Sequence, residues 1–236
     1  VRVRLYVPEA EKGKEIALTK EQVRHLKVLR LKEGEKIGIF DGKGHEYEAV
    51  YSEKVSDGKM HIEKAMASQE EPKVKITLAI AVPKGTRIDT LVEKVSELGV
   101  TGIVPIITAR SVVLPREAKV DRLRRIALEA CAQSERSIVP TISGSIKFAD
   151  LLDTVKEYNH VFICHKTGEP LTKAYDACYS ILIIVGPEGD FTPAELQDAK
   201  EAGCTIVSLG PTILRTETAG IAAVAQIVGL SQKVYK

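Results

Sequence analysis

Residues 181–197 read ILIIVGPEGDFTPAELQ, and three kinds of segment follow one another within that span. Residues 181–185 are all apolar and mostly β-branched, the composition of a strand buried on both faces. Gly186-Pro187-Glu188-Gly189-Asp190-Phe191 interrupts any regular element and predicts a turn. Thr192, Pro193 and Glu195 then stand in the order N-cap, N1 and N3, so a helix opens here and is predicted to end before Gly203. Strand, glycine turn and capped helix form one unit of a parallel α/β sheet. The turn lies at the carboxyl end of its strand, where open α/β sheets bind ligands through free backbone amides. It matches neither GxGxxG nor GxxxxGK[ST], so dinucleotide and P-loop readings fail. The plain alternative is a turn that needs glycine only for its backbone angles.

The same alternation runs through residues 73–236. Further strands are predicted at 75–82, 102–108, 160–165 and 205–209. Ile88, Leu91, Val92, Val95 and Leu98 have helical spacing, with Thr86 and Asp89 placed as a capping box and Gly99 as the stop. Helices are also predicted at 120–132, 148–155 and 216–230. The last is small and apolar nearly all round, which assigns it to the centre of the core or to a subunit interface. Residues 1–72 differ: short strands at 4–7, 36–40, 46–52 and 60–67 surround one helix at 20–29, with turns at Asp41-Gly42 and Asp57-Gly58. That pattern predicts a small barrel. The polar stretch SQEEPK at 68–73 is the linker, which divides the chain into domains 1–70 and 73–236.

Composition excludes several classes. With 236 residues, 44% hydrophobic and 28% charged, the chain has length for a large core and is not disordered. Its longest apolar runs fall short of the roughly 20 residues that cross a bilayer, so no membrane partner is expected. The N-terminus alternates Val and Arg and shows no secretory signal, and the absence of an initiator Met points to a trimmed chain. Cys131, Cys164, Cys178 and Cys204 lack CxxC or metal-ligand spacing and read as reduced structural thiols of a cytoplasmic protein. No metal site is expected. The 34 basic and 32 acidic residues balance, so any nucleic-acid surface must come from their distribution.

A second turn follows the strand at 205–209, and within it Arg215 and Glu217 punctuate a small, apolar stretch before the last helix. Structurally, Thr216 would cap that helix and Glu217 would sit in its positive first turn. Functionally, two turns from adjacent strand ends would form one pocket, with backbone groups for a ligand and an arginine and a carboxylate for catalysis. His165 ends a strand at the same edge and would line it. The run 110–125 carries an excess of positive charge, with Arg110 and Arg122, and Arg136 extends it. Arg2, Arg4, Arg24, His25, Lys27 and Arg30 lie in the first domain. Such runs are usually solvated faces; as a phosphate-contacting stripe they would bind RNA.

Gly186-Pro187-Glu188-Gly189, Leu209-Gly210 and Ile213-Leu214-Arg215-Thr216-Glu217-Thr218-Ala219 closely resemble the signature of the RsmE family. Those enzymes are 16S ribosomal RNA uridine-N3 methyltransferases of the SPOUT superfamily. Segments 25–30, 40–42, 84–85, 97–100 and 129–133 resemble family segments too, so the likeness spans the chain. Asp190 departs from it, because a second Gly is common there. The resemblance implies a PUA-like β-barrel followed by a SPOUT-type α/β domain with a parallel sheet and a C-terminal trefoil knot. It also implies a homodimer, S-adenosylmethionine as cofactor, and 16S rRNA within the small ribosomal subunit as partner. The cofactor would be held by His165, Val185, Gly186, Pro187, Glu188, Gly189, Leu209, Gly210, Ile213, Leu214, Thr218 and Ala219. Arg215 would stabilise developing negative charge, and Glu217 or Glu188 would take the proton. The rivals are a SPOUT enzyme that methylates ribose 2′-hydroxyls and a non-catalytic RNA-binding assembly factor.

Overall fold

A computed structural model describes residues 3–52, 55, 57–67, 70–113 and 117–234. Arg2, and Ser68 and Gln69 of the expected linker, lie outside them. The chain divides into two compact units, 1–71 with 131–139, and 72–130 with 140–236. Residues 131–139 therefore fold with the N-terminal unit, although they lie far beyond the expected linker.

The N-terminal unit is a five-stranded sheet built from β1 (Arg4–Tyr6), β2 (Glu15–Ala17), β3 (Lys36–Phe40), β4 (Glu46–Val50) and β5 (Lys59–Met66). Its order is β1-β3-β4-β5-β2, antiparallel apart from the β1–β3 pair. The short β2 escapes sequence reading because Glu15-Ile16-Ala17 offers a single apolar residue to the core. Helix α1 (Lys20–Val28) is entered through a complete capping box between Thr19 and Gln22. Leu26 anchors it, fully buried among Ile37, Ile39, Ala49 and Ile62.

The C-terminal unit is a seven-stranded parallel sheet. Its strands are β6 (Lys75–Ala81), β7 (Gly102–Ile107), β8 (Thr141–Ile142), β9 (Ile146–Lys147), β10 (His160–Pro170), β11 (Ser180–Val185) and β12 (Thr205–Ser208). They run in the order β12-β10-β11-β6-β7-β8, with β9 also on β7. One apolar layer covers each face, so β6 and β11 carry almost unbroken apolar runs. Helix α2 (Arg87–Leu98) packs Ile88, Leu91, Val92 and Val95 into one layer and stops at Gly99, whose φ of 106° is left-handed. The capping box expected at its start is absent: Thr86 makes no side-chain cap, and Asp89 accepts from Arg122 at 2.7 Å.

Helix α3 (Glu117–Gln133) follows the prediction at 120–132, whereas the helix predicted at 148–155 breaks into α4 (Phe148–Leu152) and a 3₁₀ turn at Val155–Glu157. A short α5 (Leu171–Ala174) was not foreseen. Helix α6 (Pro193–Glu201) opens as its sequence dictates, with reciprocal hydrogen bonds between Thr192 and Glu195. Thr192→Ala is expected to destabilise the protein by about 1 kcal/mol. Thermal melting should fall by about 2–4 °C for a chain of this size. Helix α7 (Thr216–Val234) buries one face, with Ala223, Val224 and Ile227 fully buried, while Ala225 and Gly229 on the other are exposed. Within one chain it is thus half-covered rather than central. Among the described residues no helix is long and apolar enough to cross a membrane.

Candidate active site

Strand β11 delivers Val185, nearly fully buried, into Gly186. A Cβ at Gly186 would lie 2.8 Å from the Phe191 ring, so the strand can leave the sheet this closely only at a glycine. The Asp190 N–H donates to the Pro187 carbonyl at 2.9 Å and closes the turn. Two contacts from beyond β7 fix its outside: Arg110 Nη1 donates to the Gly189 carbonyl at 2.8 Å, and the Ala109 N–H donates to Glu195 Oε1 at 2.8 Å.

The two turns do not leave adjacent strands. Strand β10 lies between β11 and β12, and its register against β12 shifts, because Cys164 and Glu169 both pair with Val207. Residues 165–168 are therefore extruded over the sheet edge between the turns. His165 and Lys166 reach the site through this excursion. The buried Thr216 hydroxyl donates to the Gly186 carbonyl at 3.1 Å and ties the second turn to the first, in place of the helix cap expected of it. Gln226 Nε2 donates to the Leu209 carbonyl at 2.9 Å and holds the start of the second turn.

Together they enclose a cavity of about 440 Å³, within the range of small-molecule sites. Of the expected cofactor-binding residues, His165, Val185, Gly186, Pro187, Glu188, Leu209, Gly210, Ile213, Leu214 and Ala219 line it; Gly189 and Thr218 do not. Arg215 lines it as well. Glu217 is not among the lining residues, and its Oε2 is buried without a hydrogen-bond partner. Ile213 is 86% exposed on the rim. Cys164, Lys166, Asp190, Ser208, Thr212 and Thr216 complete the lining. Burial pushes the Cys164 thiol up to about 12, which makes it a structural rather than a nucleophilic group.

Sequence reading also missed Arg87. Its guanidinium lies 3.7 Å from Glu188 Oε1 and 3.8 Å from Glu217 Oε1, bridging the carboxylates of the two turns. A cation in the first turn of a helix opposes the macrodipole, and that anomaly was the available signal.

The expected RNA contacts separate into two groups. Arg24, His25, Lys27 and Arg30 are exposed on and just after α1, and Arg110 and Arg122 are exposed in the C-terminal unit. Arg110 and Arg122 each make the intramolecular bond described above. Arg4 and Arg136 do not qualify. The Arg4 side chain is 6% exposed, bonded to Glu46 at 2.9 Å and set 4.8 Å from the centre of the Phe40 ring. Arg136 is 7% exposed and paired with Glu71 at 2.8 Å. Spacing in a sequence does not distinguish an arginine that faces water from one drawn inward by a carboxylate.

An α/β unit with a cavity framed by two strand-end turns, and with an arginine on its wall, is a small-molecule-binding domain of the kind found in many enzymes. The family model described as RNA methyltransferase domain matches residues 69–228, and the RNA methyltransferase PUA domain matches residues 18–64. The chain is 31% identical over 243 residues to ribosomal RNA small subunit methyltransferase E of Bacillus subtilis, covering 95% of this chain and 94% of that one. It is 32% identical over 222 residues to the Synechocystis protein of the same name, covering 91% and 73%. A crystal structure of the Neisseria gonorrhoeae enzyme of that name, bound to S-adenosyl methionine, superposes with a TM-score of 0.89 at 37% identity, covering 98% of each chain. A Legionella pneumophila structure in complex with the same cofactor gives 0.86 at 30% identity and 97% coverage of each. The chain belongs to the ribosomal RNA small subunit methyltransferase E family.

Proposed function

We propose that this protein transfers a methyl group from S-adenosylmethionine to N3 of a uridine in 16S rRNA, acting in the cytoplasm on the small ribosomal subunit. The observation that carries the reading is the cavity itself. Gly186 and Gly210 line it within the two turns, and Val185, Leu209 and Leu214 supply apolar wall for a nucleoside. The residues present therefore fit S-adenosylmethionine, which supplies an electrophilic methyl group on a sulfonium.

The protein's task is to prepare the acceptor. Uracil N3 becomes nucleophilic when its proton leaves, and negative charge then spreads onto O2 and O4. Arg215, on the cavity wall, would stabilise that charge. Glu188, which lines the cavity, and Glu217, joined to it through Arg87, are the candidate proton acceptors. Arg24, His25, Lys27 and Arg30 would hold RNA phosphates from the N-terminal unit, and Arg110 and Arg122 from the other. The exposed small face of α7, with Ala225 and Gly229, suits a second copy of the chain, and a homodimer with a knotted C-terminal passage belongs to the same reading.

Labelled-methyl transfer to small subunits from a strain lacking the enzyme, followed by mass spectrometry of the nucleosides, tests the proposal. 3-Methyluridine is the expected product; a sugar-methylated nucleoside overturns it. Arg215→Ala is expected to slow transfer by about 10²–10³-fold, the cost of removing one fixed donor from a developing oxyanion. Calorimetry should show cofactor affinity changing far less than the rate.

A further inference from the structure

The Asp190 carboxylate has no role in the reading above, yet it lines the cavity and is 46% exposed. Its backbone is left-handed, with φ of 61°, a conformation aspartate tolerates better than most residues. Oδ1 accepts the Phe191 N–H at 2.8 Å, and Oδ2 lies 3.1 Å from His165 Nε2. The histidine's other nitrogen, Nδ1, lies 2.7 Å from Thr167 Oγ1 and 3.3 Å from the Thr167 backbone nitrogen. Glu188, the other acid on the wall, faces the Arg87 guanidinium. The cations that line the cavity are Lys166 and Arg215, and among the described residues neither forms an ion pair with Asp190. The Asp190 carboxylate thus faces the cavity with no arginine or lysine paired to it among the described residues.

We infer that Asp190 makes the cavity prefer a sulfonium donor over the uncharged thioether that remains after methyl transfer. This rests on the methyltransferase reading above. The donor and its demethylated product share the adenosine, the ammonium and the carboxylate and differ by the methyl group and its unit of positive charge, so a fixed anion is a direct way to tell them apart. The cavity volume of about 440 Å³ limits how far from Asp190 a bound cation can lie. At a separation on the order of 8 Å, a unit charge pair in a partly solvated site changes affinity by about threefold to thirtyfold.

Isothermal titration of S-adenosylmethionine and of S-adenosylhomocysteine into the full-length protein tests this, with Asp190→Asn and Asp190→Gly beside the unaltered chain. Asparagine keeps the shape and accepts the left-handed backbone, and glycine removes backbone strain altogether. Agreement between the two separates charge from turn geometry. Both variants are expected to bind S-adenosylmethionine about tenfold more weakly, with S-adenosylhomocysteine changed by less than about twofold. Equal weakening for both ligands, or unchanged S-adenosylmethionine affinity, overturns the inference and leaves the proposed function standing. An unaltered protein that binds neither ligand overturns the proposed function, and the inference with it.

Discussion

Arg136→Ala is expected to destabilise the N-terminal unit by about 3–5 kcal/mol, the cost of breaking a buried pair and leaving one charge unmatched. Arg136 donates from Nε to Glu71 Oε2 at 2.9 Å, its Nη2 lies 2.8 Å from the same oxygen, and the Ile138 N–H donates to Glu71 Oε1 at 3.2 Å. Glu71 thus gathers side chain and backbone of the returning segment 131–139 at one carboxylate. Arg4 adds to the closure by donating to the carbonyls of Cys131 and Arg136, both at 3.3 Å, while pairing with Glu46. Removing Arg136 strands Glu71 in a site where water reaches it poorly. Urea denaturation followed by a probe in the N-terminal unit should show the loss. Replacing Arg136 and Glu71 together by apolar residues of similar size should recover most of it, because the desolvation cost of both charges disappears with them. Arg30→Ala, at an exposed site, should melt like the unaltered protein and lose RNA affinity instead. An Arg136→Ala protein of normal stability but weakened RNA binding would return that residue to the phosphate-contacting group.

Gly168→Ala is expected to cost about 3 kcal/mol, the upper range for forcing extra atoms into packed structure. A Cβ there would lie 2.5 Å from each of Val207 N, Cα and C. Those are backbone atoms of β12, held by pairing with β10 on both sides of the register shift, so no side chain can swing away to make room. Strand β10 or β12 must move. Melting of the C-terminal unit should fall by about 6–12 °C on the usual scaling for a chain of this length. Because the same excursion carries His165 and Lys166, cofactor affinity should fall with it. Normal melting and normal S-adenosylmethionine binding in this variant would mean that the crossing of β10 over β12 is looser than described.

Much of the C-terminal unit was legible because its information is local. The cap at Thr192, the stop at Gly99 and the buried runs of β6 and β11 each depend on residues within a few positions of one another. Where a local signal had a competing long-range partner, the reading failed. Asp89 has the spacing of a capping residue, but a guanidinium from α3 offers it a charge-assisted bond, and Thr86 is left without its box. Thr216 likewise gives its hydroxyl to a carbonyl 30 residues earlier in the chain.

The sequence alone determined most of the longer strands and helices and the two turns that frame the cavity, since turn chemistry and apolar period are properties of neighbouring residues. Tertiary structure alone decided which charges meet. It placed β10 between the two turns, turned Arg4 and Arg136 inward, brought Arg87 to Glu188 and Glu217, and set Asp190 against His165. Electrostatic partners are chosen by distance in space and by exclusion of water, and neither quantity exists until the sheet has closed.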